Sequence, residues 1–341
     1  MKHKPFMVDW AVTTKCNLQC YHCRGLPEEE LPTEVAINVA KEIVTLEPNW
    51  VIIEGGEPLL RDGLWDILKN LCTNGLDVNL ITNGMLLTAE IVEWLKALNI
   101  KVMISFDSPE PTLYERIRVG AKFDQVTQNI EKLINKGLLH SLNFTISKMN
   151  YKMIPDLFFF CKSTGVDMVN IIGLKPCVKY EEQLLTREEY QMAIFSTVES
   201  ADKTGVTFFF DEPFFWACVE SWKLQVPRPQ RDSKILIPND SRCILGEYIF
   251  IEPDGGIKPC TFAPYVVGNA RTGISEVWTA MGEDEHLSKL KHPNISTGRC
   301  QGCKYLNNCG GCRVRTYTLT GDWFGSDPIC PLFESSMQIN S

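Results

Sequence analysis

Two groups of cysteines stand out at spacings that suit metal chemistry. Cys16, Cys20 and Cys23 form a C-x3-C-x2-C run, while Cys243, Cys260, Cys300, Cys303, Cys309, Cys312 and Cys330 recur through the last third of the chain. Of the 14 cysteines only Cys72, Cys161, Cys177 and Cys218 lie elsewhere. The segment from Met1 to Met7 has two lysines and no apolar h-region behind them, so a cytoplasmic location is expected. Thiols there stay reduced, which points to metal or cluster ligation rather than disulfides. Three thiolates on one short loop can hold three irons of a cubane cluster and leave the fourth open to an outside ligand. A zinc ion is the alternative. It normally takes four ligands, and His22, the nearest fourth donor, is sterically awkward between Cys20 and Cys23. For the tail, the alternative is a pair of ribbon-type zinc sites, yet seven cysteines complete only one of them. The four scattered cysteines read as small buried hydrophobes, and Cys177 merits attention because it follows the sixth expected strand.

The elements that must position these groups are legible in the pattern. Short apolar, β-branched runs at 6–12, 50–53, 77–81, 101–105, 142–146 and 167–172 alternate with helical patterns at 32–46, 64–72, 88–98, 123–136 and 154–164. Six strands joined by five helices predict a parallel α/β sheet, either doubly wound or an incomplete barrel. In both, ligands sit at the carboxyl ends of the strands. A further helix is expected over 186–205, then an apolar segment at 207–222. The polar, proline-bearing stretch 225–241 predicts a boundary between a domain of residues 1–224 and one of residues 225–341. Pro253-Asp254-Gly255-Gly256 predicts a hairpin turn between strands at 248–252 and 257–259. The Gly- and Cys-rich tail lacks apolar residues for a core of its own, so metal should hold it together.

Bulk properties narrow the class. The chain has 341 residues, enough for a barrel-sized domain and a smaller appendage, and is 44% hydrophobic and 22% charged, as globular proteins are. A net charge of -8 provides no basic footprint for nucleic acid, so none is expected as a partner. The apolar stretch 206–219 is interrupted by Asp211, Glu212 and Pro213, and no membrane anchor is expected.

With Tyr21-His22 before its last cysteine, the triad resembles the hallmark of the radical S-adenosylmethionine superfamily, which follows the first strand of a partial (β/α)6 TIM-like barrel. Glu54-Gly55-Gly56-Glu57-Pro58 after the second strand is similar to that family's GGEP motif, and Thr82-Asn83-Gly84 after the third to its TNG. The resemblance implies a 4Fe-4S cluster whose open iron chelates S-adenosylmethionine and cleaves it to a 5'-deoxyadenosyl radical. It further implies cofactor contacts at Tyr21, His22, Gly55, Gly56, Glu57, Thr82, Asn83, Ser105, Asp107 and Leu174. Arg118, with Arg116 as the alternative, would pair with the methionine carboxylate. Outside that resemblance, the glycine pair and Thr82-Asn83-Gly84 read as turns, Ser105 and Asp107 as helix N-caps, and the arginines as surface charges.

The tail closely resembles the SPASM extension of such enzymes, although two residues separate Cys309 from Cys312 where three are common. This implies two auxiliary 4Fe-4S clusters, one on Cys300, Cys303, Cys309 and Cys330, the other on Cys243, Cys260 and Cys312. The second lacks a fourth cysteine, leaving an iron open to substrate or to completion by Cys218 or Cys177. The family resemblance implies an oxidoreductase or maturase acting on a peptide, protein or small-molecule precursor, fed by an electron donor such as ferredoxin or flavodoxin. Thr261 occupies the place where sulfatase-activating relatives have an aspartate, which argues against that reaction. A start almost at the first strand leaves no room for an N-terminal peptide-recognition domain. Peptide maturation is the first expectation, with heme or heme d1 side-chain modification second. A zinc-held interaction protein is the non-enzymatic alternative.

Overall fold

The structure is a computed structural model that describes residues 4–176, 181–226, 243–292 and 296–333. The first strands and helices alternate as β1 (Val8–Ala11), α1 (Thr33–Leu46), β3 (Val51–Glu54), α2 (Leu64–Thr73), β4 (Val78–Thr82), α3 (Ala89–Ala97) and β5 (Lys101–Ser105). A short ribbon of β2 (Gln19–Cys20) and β6 (Arg118–Val119) sits above them, with α4 (Pro111–Ile117) and α5 (Phe123–Asn135) leading to β7 (Leu139–Ile146). Then follow α6 (Ile154–Thr164), β8 (Met168–Gly173), α7 (Arg187–Thr204), β9 (Thr207–Asp211) and α8 (Phe215–Ser221). The remaining elements are β10 (Ile249–Ile251), β11 (Gly256–Lys258), β12 (Gly268–Asn269), α9 (Ile274–Glu283), α10 (Glu285–Lys291) and α11 (Arg313–Thr320).

One ten-stranded sheet has the order β12-β11-β10-β1-β3-β4-β5-β7-β8-β9. From β1 to β9 each parallel strand is added on the same side of its predecessor. Right-handed crossovers then place the connecting helices on one face, which bends the sheet into a partial barrel and leaves a concave lumen. A doubly wound sheet would reverse its order at a switch point, and this one does not.

The expected alternation of six strands is present, one further strand was hidden from it, and the expected tail strand at 248–252 has an unforeseen partner. The apolar segment at 207–222 divides into β9, which pairs parallel with β8, and α8. At the opposite edge β10 pairs parallel with β1, Val8 facing Ile249, so the first hairpin of the tail extends the barrel sheet. The turn works as its residues suggest: Gly255 has φ +92, and Asp254 Oδ1 accepts the Gly256 N–H at 2.8 Å.

Strand alternation decides which side chains meet the helices and which meet the lumen. Val8 and Trp10 of β1, Val51 and Ile53 of β3, and Leu142 and Phe144 of β7 join the main core with α1, α2, α5 and α6. In α5, Val126, Ile130 and Leu133 form the buried stripe, each contributing about 1.5–3 kcal/mol by leaving water. The opposite positions are unusually polar: Asp9, Asn79, Ser141 and Asn143 are all buried. Asn170 Nδ2 donates to Asn143 Oδ1 at 2.7 Å and to Ser141 Oγ at 2.9 Å, satisfying part of that surface.

Candidate active site and cluster ligands

The cysteine loop is held by backbone as much as by side chains. Gly56 N–H donates to Thr13 O and Glu57 N–H to Lys15 O, each at 2.8 Å, which lays the glycine pair against the segment leading into Cys16. Gly55 has φ +150, and a Cβ there would lie 2.7 Å from the Thr13 carbonyl, while one on Gly56 would overlap the Lys15 carbonyl. Glycine is required here for close approach, beyond making a turn. Backbone of β2 pairs with β6, Cys20 facing Arg118, so the loop has a fixed second support.

Glu57, fully buried, has its carboxylate filled by protein donors. Thr82 Oγ1 donates to Oε1 at 2.7 Å, Asn83 N–H to Oε2 at 2.9 Å, and Leu59 N–H to Oε1 at 3.2 Å. Asn83 Nδ2 continues to Asn17 Oδ1 inside the cysteine loop at 2.9 Å. Thr82 and Asn83 thus tie strands and cysteine loop together through Glu57.

Asp107 and Arg118 come together beneath the triad. Arg118 Nε lies 2.7 Å from Asp107 Oδ2, and Arg118 Nη1 is 3.7 Å from Cys20 Sγ. His22 Nε2 is 3.4 Å from the same Asp107 oxygen. Burial opposes the arginine's charge, but Asp107 together with Cys20 and Tyr114 outweighs it and holds the guanidinium pKa above its ordinary value. Burial pushes the Cys20 thiol up to about 11, with the arginine countering it. Arg116, the alternative to Arg118, is exposed on α4. Nor is Asp107 a helix cap, because Glu110 caps α4 by accepting from Thr112 and Leu113. Ser105 lies at the end of β5, and Leu174, just beyond β8, is buried with its N–H on Ile146 O at 3.3 Å. Tyr21 turns outward, its hydroxyl 3.1 Å from Glu182 Oε1.

Among the tail cysteines, electrostatic coupling separates two neighbourhoods. Cys330 is coupled to Cys300 and Cys303, and Cys309 to Cys330 and Cys300. Cys260 and Cys312 are each coupled to Cys243. Burial pushes the Cys260 thiol up to about 11 and the Cys312 thiol up to about 12. Cys218 belongs to the first neighbourhood, coupled to Cys330, Cys309 and Cys303, which corrects the expectation that it could complete the Cys243 site. Cys177 lies outside the described residues. Cys161 is buried on α6 and Cys72 half-buried on α2, as expected of packing residues. A shallow, open cleft lined in part by Cys243, Cys309, Gly310 and Gly311 lies where residues of the two neighbourhoods come together.

A group that sequence reasoning missed joins the two ends of the chain. Thr261, next to Cys260, donates its hydroxyl to Asp9 Oδ2 at 3.1 Å. Arg24, next to Cys23, pairs with Glu54 at 2.9 Å and approaches Glu252 at 3.7 Å, its guanidinium 4.6 Å above the Phe250 ring. Burial and the Glu54 carboxylate push the Asp9 carboxyl well above its usual range. The one sequence signal was a charged residue inside an otherwise apolar first strand.

The donor set fits iron–sulfur clusters: three, three and five soft thiols in separate neighbourhoods, the fifth being Cys218 beside the four expected ligands, with every described cysteine free of disulfide. Family comparison agrees. Residues 10–161 match the radical SAM superfamily, and residues 243–312 match SPASM, an iron–sulfur cluster-binding domain. This chain is a radical SAM enzyme with a C-terminal SPASM domain, which sets aside the non-enzymatic reading. Its cofactors are accordingly a 4Fe-4S cluster, S-adenosylmethionine and auxiliary iron–sulfur clusters.

The chain is 28% identical to the AdoMet-dependent heme synthase of Methanosarcina barkeri, over 97% of each protein. It is also 28% identical to the pre-heme d1 synthase of Dinoroseobacter shibae, covering 96% of this chain and 86% of that one. Streptococcus suis SuiB bound to S-adenosylmethionine has the same fold, with a TM-score of 0.77 and 16% identity over 97% of this chain and 78% of that one. Among the described residues no helix is long and apolar enough to cross a membrane.

Proposed function

We propose that this enzyme oxidises a substrate held in the barrel lumen between two cluster sites, and that the substrate is a tetrapyrrole side chain. Cys16, Cys20 and Cys23 hold the first cluster; Cys243, Cys260 and Cys312 hold the auxiliary cluster nearer the lumen; Cys300, Cys303, Cys309 and Cys330 hold the distal one. When bound, the first cluster with S-adenosylmethionine supplies a radical that removes a hydrogen atom from the substrate.

The protein's own residues prepare that chemistry. The glycine pair and Glu57 fix the cysteine loop, while Arg118 and Asp107 present a buried charge pair to the methionine carboxylate and its surroundings. Arg118 on Cys20 and Asp107 orients rather than reacts. Lumen groups exclude bulk water and hold the substrate against the strands' carboxyl ends.

The observation that carries the two-site reading is the convergence of Arg24, one residue past Cys23, and Thr261, one residue past Cys260, on the Asp9, Glu54 and Glu252 carboxylates. Both cluster loops therefore meet at one buried group of carboxylates. Support for the tetrapyrrole comes from the two heme-pathway relatives aligned over nearly the whole chain. The peptide expectation yields first place on that ground.

Anaerobic reconstitution with iron and sulfide, followed by a reductant and an iron porphyrin bearing propionates, tests it. Formation of 5'-deoxyadenosine with a mass change on the porphyrin supports the proposal. Deoxyadenosine without porphyrin change, together with modification of a supplied precursor peptide, would establish the peptide reading instead.

A further inference from the structure

A second set of buried charges, where β8, β9, α7 and α11 meet, has no part in the site so far described. Arg315 on α11 is fully buried and bidentate on two sides. Its Nη1 and Nη2 donate to Glu212 Oε1 and Oε2 at 2.9 and 2.8 Å, and its Nε and Nη2 to Asp327 Oδ1 and Oδ2 at 2.9 and 2.6 Å. Glu212, one residue beyond β9, also accepts from Tyr190 Oη at 2.9 Å and from Lys175 Nζ at 3.0 Å. Lys175 Nζ further donates to Asp211 O at 3.2 Å.

The fold makes room for this arrangement. A Cβ on Gly173 would overlap Glu212 Oε1 and lie 2.6 Å from the Tyr190 hydroxyl, so the glycine ending β8 admits the carboxylate. Gly311, with φ +69, lets Asp327 approach, since a Cβ there would lie 2.7 Å from the Asp327 Cβ.

On its other side the set grips one cysteine. Asp327 Oδ2 accepts the Cys312 N–H at 2.8 Å, and the Arg315 N–H points at Cys312 Sγ at 3.5 Å. Lys175 is electrostatically coupled to both Cys312 and Cys260. Replacing a buried ion cluster by apolar residues is often neutral or stabilising, so stability alone does not account for charges at this place. Fixed charges in a low-dielectric interior act on one another far more strongly than in water. Their nearest redox group would be a cluster on Cys312.

We propose that Lys175 and Glu212 are positioning residues that set the reduction potential of the auxiliary cluster on Cys243, Cys260 and Cys312. Lys175 raises the potential by favouring the extra electron, Glu212 lowers it, and Arg315 with Asp327 holds both in register with Cys312. This rests on the ligand assignment made above. Lys175 directly follows Leu174 on the loop leaving β8, so one loop reaches both the expected nucleotide contact and the auxiliary site.

The test is a redox titration followed by electron paramagnetic resonance of the reconstituted full chain, with Cys16, Cys20 and Cys23 replaced by Ala to leave only auxiliary signals. Lys175→Met should shift one auxiliary potential downward, Glu212→Gln should shift the same one upward, and Lys175→Arg should leave it near the parent value. In the chain with its triad intact, Lys175→Met should also lower product formed per deoxyadenosine. Unmoved potentials, or shifts of the same sign in both variants, would overturn the proposal. Should Glu212→Gln fail to take up iron, the contrast between Lys175→Met and Lys175→Arg still decides it. A parent chain with no auxiliary signal would overturn the ligand assignment and the proposal together.

Discussion

Arg118 and Asp107, eleven positions apart in sequence, meet at 2.7 Å directly beneath Cys20, with neither side chain appreciably open to solvent. Because Cys20 itself pairs with Arg118 through the β2–β6 ribbon, the charge pair and the cysteine loop move as one unit. Removing one partner of such a pair leaves an uncompensated buried charge. Arg118→Met should therefore destabilise the protein by about 3–5 kcal/mol. The double variant with Asp107→Asn should recover part of that loss in urea unfolding. Equal losses in both would mean that the pair does not couple.

The division of labour between clusters predicts unequal consequences for two cysteines. Cys20→Ala should abolish 5'-deoxyadenosine formation, whereas Cys303→Ala should retain some uncoupled cleavage and lose product. Deoxyadenosine and product are quantified by chromatography from the same reactions. Complete loss of both in each variant would contradict the separation of roles.

Gly56→Ala places a methyl group into the Lys15 carbonyl and must push the cysteine loop away from the sheet. Backbone cannot yield as a flexible side chain does, so the expected result is lower iron occupancy of the triad, read by iron analysis in a chain whose tail cysteines are replaced. Gly282→Ala, on α9 with an ordinary φ and open space for a Cβ, is the control for the substitution itself. A similar iron loss in both would show that the overlap with the Lys15 carbonyl is not the cause.

Acid sensitivity should trace to Glu212. Burial would raise its carboxyl, but Arg315 and then Lys175 overcome that and hold it down at about 2, against 4.5 ordinarily. A depressed carboxylate stabilises the fold above its unfolded pKa, and that contribution is lost as pH falls through the folded value. The stability difference between the parent chain and Glu212→Gln should hence be largest at about pH 6 and shrink as the pH falls below about 4.5. Urea titrations at several pH values measure it. A constant difference would show that the charge on Glu212 contributes nothing.

Much of this protein was determined by local sequence. The helix ending at Gly205 begins at Thr186 with a capping box to Glu189, and Gly205 takes φ +76, all read from neighbours within a turn. The cysteine spacings, the glycine pair and the hairpin turn are likewise local, because each depends on backbone geometry over a few residues. That the barrel strands are parallel followed from alternation of element types, whereas their order did not. Tertiary structure decided the rest, since it depends on which strands become neighbours. Whether Thr207–Asp211 is a strand depends on β8 offering an edge, and Ile249–Ile251 joins the barrel only because β1 presents the other edge. Arg118 was separated from Arg116 by burial beside Cys20, and Cys218 was assigned to the Cys330 neighbourhood by packing of α8. Asp9 and Thr261, or Glu212 and Arg315, lie 252 and 103 residues apart. No period or spacing encodes such pairs; they exist because burying one charge in the folded chain requires another to meet it.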